Sequence, residues 1–285
     1  MSLGETIALG ALAGFTIYLG LPVGRLKVLS PGARVGLAMF AVGILAFIFV
    51  DVLAHGFEIV ESALDEFKDD KESLASVVGL AALLIGGFGV GSAGLGLLER
   101  RLRPHRPTPP MAGGSSAAEA ATLAPPVAVQ RSTARQRALQ TGLVIAVAIG
   151  LHNFAEGLAI GVSARSGEVS LATVLIIGFA LHNATEGFGI VGPLGDVVPS
   201  WRWLLGVGLI AGGPTLLGSI VGYQVTSEPL ELAFYALAAG AIFYVIGEIW
   251  SAMRRYGRRE LGLLMVTAGF AAGVVTDLVV AYGGG

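Results

Sequence analysis

Residues 139–164 read LQTGLVIAVAIGLHNFAEGLAIGVSA, and residues 171–191 read LATVLIIGFALHNATEGFGIV. As helix, each stretch is long enough to cross about 30 Å of hydrocarbon. Each also carries the same polar insert, Leu-His-Asn-x-x-Glu-Gly, at Leu151 to Gly157 and again at Leu181 to Gly187. Segments apolar enough to lie in lipid therefore hold His152, Asn153 and Glu156 in one copy, and His182, Asn183 and Glu186 in the other. A charged residue at mid-bilayer costs about 2.5–3.5 kcal/mol on insertion scales, so groups of this kind at that depth have a binding or functional reason to be there.

The rest of the chain has the same character. Of its 285 residues, 54% are hydrophobic and 13% charged, and the mean hydropathy is +0.77. A soluble domain could not cover its surface with so little polar material. The apolar residues fall into eight blocks, roughly 5–21, 33–56, 74–98, 139–164, 171–191, 203–225, 232–253 and 261–281. Alternating barrel-type patterning is absent, and only helices or closed barrels satisfy their backbone in lipid. The expected fold class is therefore all-α integral membrane, with eight transmembrane helices. No cleavable signal is expected, because the first block begins almost at Met1, is as long as a true span and has no basic stretch before it. Of the 18 Lys and Arg, all but Lys68, Lys71 and Arg165 fall in the first, third, fifth and seventh connections. Basic residues stay cytoplasmic, which puts both termini on the extracytoplasmic side of a cell membrane.

One long interruption divides the chain into helices 1–3 (residues 1–98), a linker (99–137) and helices 4–8 (138–285). The linker opens on a basic cluster and continues Pro-, Ala-, Ser- and Thr-rich, a composition that cannot bury a core. It is expected to be a disordered cytoplasmic segment, with His105 a solvated loop histidine. The second connection is acidic (Glu58, Glu61, Asp65, Glu66, Asp69, Asp70, Glu72) and reads either as a solvated face or as a means of concentrating cations at a pore mouth. Glycines four apart, such as Gly157 with Gly161 and Gly218 with Gly222, suit close helix packing in lipid. There are no cysteines, which excludes disulfides and thiolate ligands. No nucleotide-binding loop is present, and nothing points to nucleic acid.

On a helix, positions i and i+4 share a face, so His152 stands one turn from Glu156 and His182 one turn from Glu186. The fourth and fifth spans are joined by a short connection and run antiparallel, which brings both motifs to similar depth near the midplane. Two ionised Glu and two neutral His present a charge of −2, which a divalent cation neutralises. Imidazole with carboxylate suits Zn²⁺, with Fe²⁺, Mn²⁺, Co²⁺, Ni²⁺ and cadmium as competitors, and does not suit Mg²⁺ or Ca²⁺. Three other readings are open. Two His–Glu pairs gluing the helices would need neither the Asn nor the Gly in both copies. Haem held by His152 and His182 would leave both Glu without a role. An intramembrane metalloprotease lacks its His-Glu-x-x-His, since Asn follows each His.

At these residues the chain resembles the ZIP (Zrt/Irt-like) family of divalent metal transporters. The resemblance covers all eight spans and implies a 3 + 2 + 3 arrangement of helices, a homodimer, and a metal as transported substrate with no prosthetic group. It implies that His152, Asn153, Glu156, His182, Asn183 and Glu186 line the metal sites. More loosely, it implies that Asp51, His55, Glu58, Glu248 and Asp277 lie along the pathway. The chain departs from the family at four positions. Ala155 and Thr185 stand where Pro often precedes the motif Glu, Asn183 stands where an acid is common, and Gly213 stands where Glu usually precedes the sixth-span Pro (here Pro214). These losses of carboxylate predict one principal site of His152, Glu156, His182 and Glu186, with a weak or absent second site near Asn153 and Asn183. A non-transporting metal sensor or regulator on the same scaffold and a haem-binding membrane protein are the remaining alternatives.

Overall fold

A computed structural model describes residues 1–26, 30–102, 127–166, 169–224 and 227–284. Among them are eight long helices and no strand. We label them α1 (Leu3–Arg25), α2 (Pro31–Lys68), α3 (Leu74–Arg101), α4 (Val127–Ser166), α5 (Val169–Val191), α6 (Trp201–Gln224), α7 (Glu228–Arg254) and α8 (Arg259–Gly284). Seven are long and apolar enough to cross a bilayer. The eighth, α5, has 23 residues, with Glu186 its one charged side chain. The molecule is an all-α integral membrane protein.

Local chemistry sets the helix ends. Ser2 and Glu5 form a reciprocal capping box at the start of α1. Ser30 caps α2 ahead of Pro31, whose missing N–H is no loss in a first turn. Ser73 caps α3. α1 breaks at Thr16 and closes in a 3₁₀ turn over Leu21–Arg25, and α3 loosens into a π turn at Val90–Gly94.

Two expected boundaries are corrected. The acidic stretch after Gly56 is not a separate connection, because α2 runs on through it to Lys68 before turning at Asp70 (φ 59°). Glu, Leu, Ala and Phe–Lys sequences support helix well beyond the lipid, and Lys68 Nζ pairs with Asp65 at 2.7 Å. The linker is also shorter than 99–137. α3 continues to Arg101 and α4 begins at Val127, because the last proline of the interruption is Pro126 and the Ala, Val, Gln and Arg that follow are compatible with helix. Its centre, with His105, lies outside the described residues.

Two groups of helices emerge from the packing. α4 lies along α6, and α1 lies along both α5 and α6; α2 lies along α8, and α7 lies along α2 and α3. Glycine pairs bring backbones into contact at each seam. A methyl group at Gly157 would fall 2.1 Å from Thr215 O and 2.9 Å from the Cα of Gly218, which joins α4 to α6. Gly187 and Gly20 join α5 to α1, Gly43 and Gly269 join α2 to α8, and Gly91 and Gly240 join α3 to α7. Exchanging α1 with α6, α2 with α7, α3 with α8 and α4 with α5 maps the first two seams onto each other, and likewise the last two. Between the groups, α7 touches α4 while α2 and α8 touch α5. At the end rich in basic residues, Arg34 reaches Asp196 at 3.3 Å and Arg255 donates to Pro193 O at 3.0 Å, so α2 and α7 hold the chain segment between α5 and α6.

Candidate metal centre

Both motifs sit inside continuous helix, with His152 and His182 at similar separations from Ser166 at the end of α4 and Val169 at the start of α5. Their imidazoles approach across the α4–α5 contact, with ring centroids 6.3 Å apart. Both Nε2 atoms converge on one oxygen, Glu156 Oε1. His182 makes a hydrogen-bonded contact with it, and His152 approaches to 2.8 Å. The second approach is close but off the line of an N–H bond, so neither ring nitrogen of His152 has a hydrogen-bond partner among the described residues. The donor atoms of His152, Glu156 and His182 all lie within 4.8 Å of one another. Glu186 stands behind them, its Oε1 3.8 Å from His152 Nε2. It is fully buried, and neither of its oxygens meets the geometry of a hydrogen bond among the described residues.

A buried carboxylate without a partner is expensive in a low-dielectric interior. Two imidazoles and two carboxylates converging this way form the donor set that a transition-metal dication satisfies. Its charge balances the carboxylates, and its coordination uses the lone pairs that no protein donor meets.

The two asparagines also brace the motifs against neighbouring helices. Asn153 Nδ2 donates to Ala211 O on α6 at 2.9 Å, and Asn183 Nδ2 donates to Ala13 O on α1 at 3.2 Å. Each motif thus ties itself, through its Asn amide, to the same neighbouring helix that its Gly abuts. Asn183 Nδ2 also lies 3.5 Å from Glu156 Oε2. Only the Oδ1 atoms are left without a partner, one on each helix. At the position where the family often has a helix-bending Pro, the hydroxyl of Thr185 donates to His182 O at 2.7 Å. Back-bonding of this kind bends helices mildly without breaking them, and α5 stays continuous.

A cavity of about 490 Å³ reaches this cluster. His152, Glu156 and His182 line its inner end; Asp51 and His55 of α2 and Asp277 of α8 line it toward the α2–α3 connection. His55 Nδ1 meets the Asp51 carbonyl at 2.9 Å and stands 3.9 Å from the Asp51 carboxylate. Of the other expected pathway residues, Glu58 is exposed on the helical extension of α2, and half-buried Glu248 lies on α7; neither lines the cavity. Glu186, Asn153 and Asn183 do not line it either. Tyr235 and Thr276 do, and the sequence reading missed both. Tyr235 Oη donates to Glu231 Oε1 at 2.9 Å, and the spacing of an acid and a tyrosine one turn apart on an aliphatic span was the available signal. On the opposite side of the cluster the described residues are packed apolar side chains. Ile145 and Ile149 of α4, Ile190 and Val191 of α5, and Val42 and Leu45 of α2 belong to one buried apolar core there.

A helical membrane protein with a buried His/Glu cage at the end of an acid-lined cavity has the construction of an ion carrier. The family model for ZIP zinc transporters matches residues 109–274, and the chain belongs to that family. It is 26% identical over 283 residues to the zinc transporter ZupT of Corynebacterium glutamicum, a match covering 93% of this chain and 97% of the relative. The ZupT zinc transporter of Corynebacterium efficiens is 25% identical over 281 residues, covering 93% and 95%. The ZupT zinc transporter of Streptococcus mutans is 28% identical over 146 residues, covering 50% and 55%. The chain is a multi-pass metal transporter of the cell membrane, not an enzyme, and its substrate is a metal cation.

Proposed function

We propose that this chain carries divalent transition-metal cations, zinc foremost, toward the cytoplasm, with His152, Glu156, His182 and Glu186 as the central ligands. The observation that carries this reading is the convergence of both imidazoles on Glu156 with the unpartnered carboxylate of Glu186 behind them. Zinc takes first place from the donor set and from the description of the relatives as zinc transporters; iron, manganese, cobalt and cadmium share the same ligand chemistry. The sidedness of the cavity supports the direction. It opens toward the acidic end, while packed apolar side chains and the contacts of Arg34 and Arg255 close the basic end, which the charge asymmetry assigns to the cytoplasm. Both termini then lie outside. The paired exchange of glycine seams supports the 3 + 2 + 3 arrangement. Transport then consists of α1, α4, α5 and α6 shifting as a unit against the other four helices, without nucleotide hydrolysis. A homodimer belongs to the same proposal and rests on the resemblance alone.

Uptake of radioactive zinc, manganese and iron into proteoliposomes tests this function. Zinc should accumulate fastest and compete with the other two. A correctly folded protein that passes none of the three would make the metal sensor the better description. A second measurement concerns the number of sites. Because Asn153, Asn183 and Gly213 bring no carboxylate to the centre, equilibrium dialysis should find one tightly held zinc per chain. Two ions of equal affinity would refute the single-site arrangement.

A further inference from the structure

At the end of the bundle away from the metal cavity, α7 stops at Arg254 and α8 starts at Arg259, with Gly257 (φ 64°) turning the chain between them. The turn places Arg254, Arg258 and Arg259 around a second cavity, of about 400 Å³, bounded also by the first turns of α2. Its wall is apolar, formed in large part by Met39, Trp250 and Met253. Other arginines at this end are held by protein groups: Arg34 by Asp196, Arg255 by Pro193 O and Arg25 by Pro199 O. Among the described residues, Arg254, Arg258 and Arg259 have no side-chain hydrogen bond and no ion pair, and no acidic side chain lines the cavity. Glu260, next in sequence, is exposed and lies outside the lining. The arginines sit where α2 and α8 both begin, so two helix N-termini add to the positive potential. Arg258 Nη1 lies 3.3 Å from where a side chain on Gly32 would start.

We propose that this groove binds an anionic phospholipid, its phosphate held by Arg254, Arg258 and Arg259 and an acyl chain laid along Met39, Trp250 and Met253. Three uncompensated guanidinium groups call for a phosphate, which they recognise through parallel N–H donors. The apolar wall beneath them calls for a chain attached to it. Basic pockets between transmembrane helices on the cytoplasmic side are the sites where such headgroups bind. Trp250, 37% exposed, stands where an interfacial indole sits at headgroup level. A soluble phosphate would use the arginines but leave the apolar wall without a function.

Native mass spectrometry of the detergent-purified protein, titrated with phosphatidylglycerol or phosphatidylcholine, tests the site. The wild type should retain phosphatidylglycerol in clear preference to phosphatidylcholine. Each arginine changed to glutamine should weaken phosphatidylglycerol binding about fivefold, and the triple variant R254Q/R258Q/R259Q about a hundredfold, with phosphatidylcholine unaffected. If the triple variant does not fold, R254Q and R258Q singly give the same reading. The pair R100Q/R101Q on α3 serves as the charge control and should change nothing. Wild-type-like retention in the arginine variants, or an equal loss in the control pair, would overturn the proposal. So would displacement of the lipid by an equimolar concentration of glycerol 1-phosphate, which would identify a site for soluble phosphate.

Discussion

Changing Glu156 to glutamine should abolish metal uptake while leaving the protein folded. Glu156 is the one carboxylate that both imidazoles contact, and glutamine reproduces its shape without its charge. The cage would then offer a single negative charge, from Glu186, to a dication. In a site shielded from water that loss is severe, since unit charges about 4 Å apart interact by about 4 kcal/mol even at an effective dielectric constant of 20. Loss of a group that merely supports a metal ligand already costs roughly 10- to 100-fold. Loss of the ligand itself should lower zinc uptake into proteoliposomes by at least about a hundredfold. Size-exclusion profile and melting temperature should stay near those of the wild type, because neither the Gly157–Gly218 seam nor the Asn153 bond to Ala211 O is touched. Flux that survives the substitution would place the ion path elsewhere in the bundle.

Changing Gly157 to valine should have an equally large effect by a different route. Around this position the neighbouring atoms are backbone: Thr215 O at 2.1 Å, Gly218 Cα at 2.9 Å and Ser219 N at 2.9 Å from a built-on Cβ. Backbone cannot rotate aside as a side-chain tip would, so α4 and α6 would have to part along their whole seam. Overpacking in a well-filled core costs about 1–3 kcal/mol, and a β-branched side chain against main chain belongs at or above the top of that range. The expected result is little or no monodisperse protein after detergent extraction, or a markedly lowered melting temperature. The control is Gly206→Ala on α6, where no atom lies within 4 Å of a new methyl group. It should be neutral or slightly stabilising, because alanine is the better helix former by about 1 kcal/mol. Equal melting temperatures for the Gly157 variant and the wild type would show that the seam is looser than the structure has it.

Much of this was legible in the residues alone, for identifiable reasons. A repeated seven-residue pattern on two adjacent apolar segments constrains its own geometry, so His152, Glu156 and His182 could be placed on facing helices before any coordinates. The ends of α2 and α4 were not legible. The reading treated charge and low hydropathy as the end of a helix, whereas they mark only the end of the lipid: Glu61 and Lys68 continue the helix as readily as Leu45 does. The bracing contacts of Asn153 and Asn183 were hidden because no local pattern tells which carbonyl on another helix an amide nitrogen will meet. Tyr235 escaped notice because the Glu231–Tyr235 spacing marks a polar pair on α7 without showing that the pair faces the cavity.

The two copies of the motif are near-identical in sequence and unequal in space. Glu156 faces the cavity and touches both rings, whereas Glu186 lies behind His152, fully enclosed and away from the cavity wall. On the proposed reading, cargo arriving from the acid-lined mouth meets one copy before the other, although duplication made them alike. An ion entering that way takes its first carboxylate contact at Glu156, and the enclosed Glu186 completes the single cage from behind.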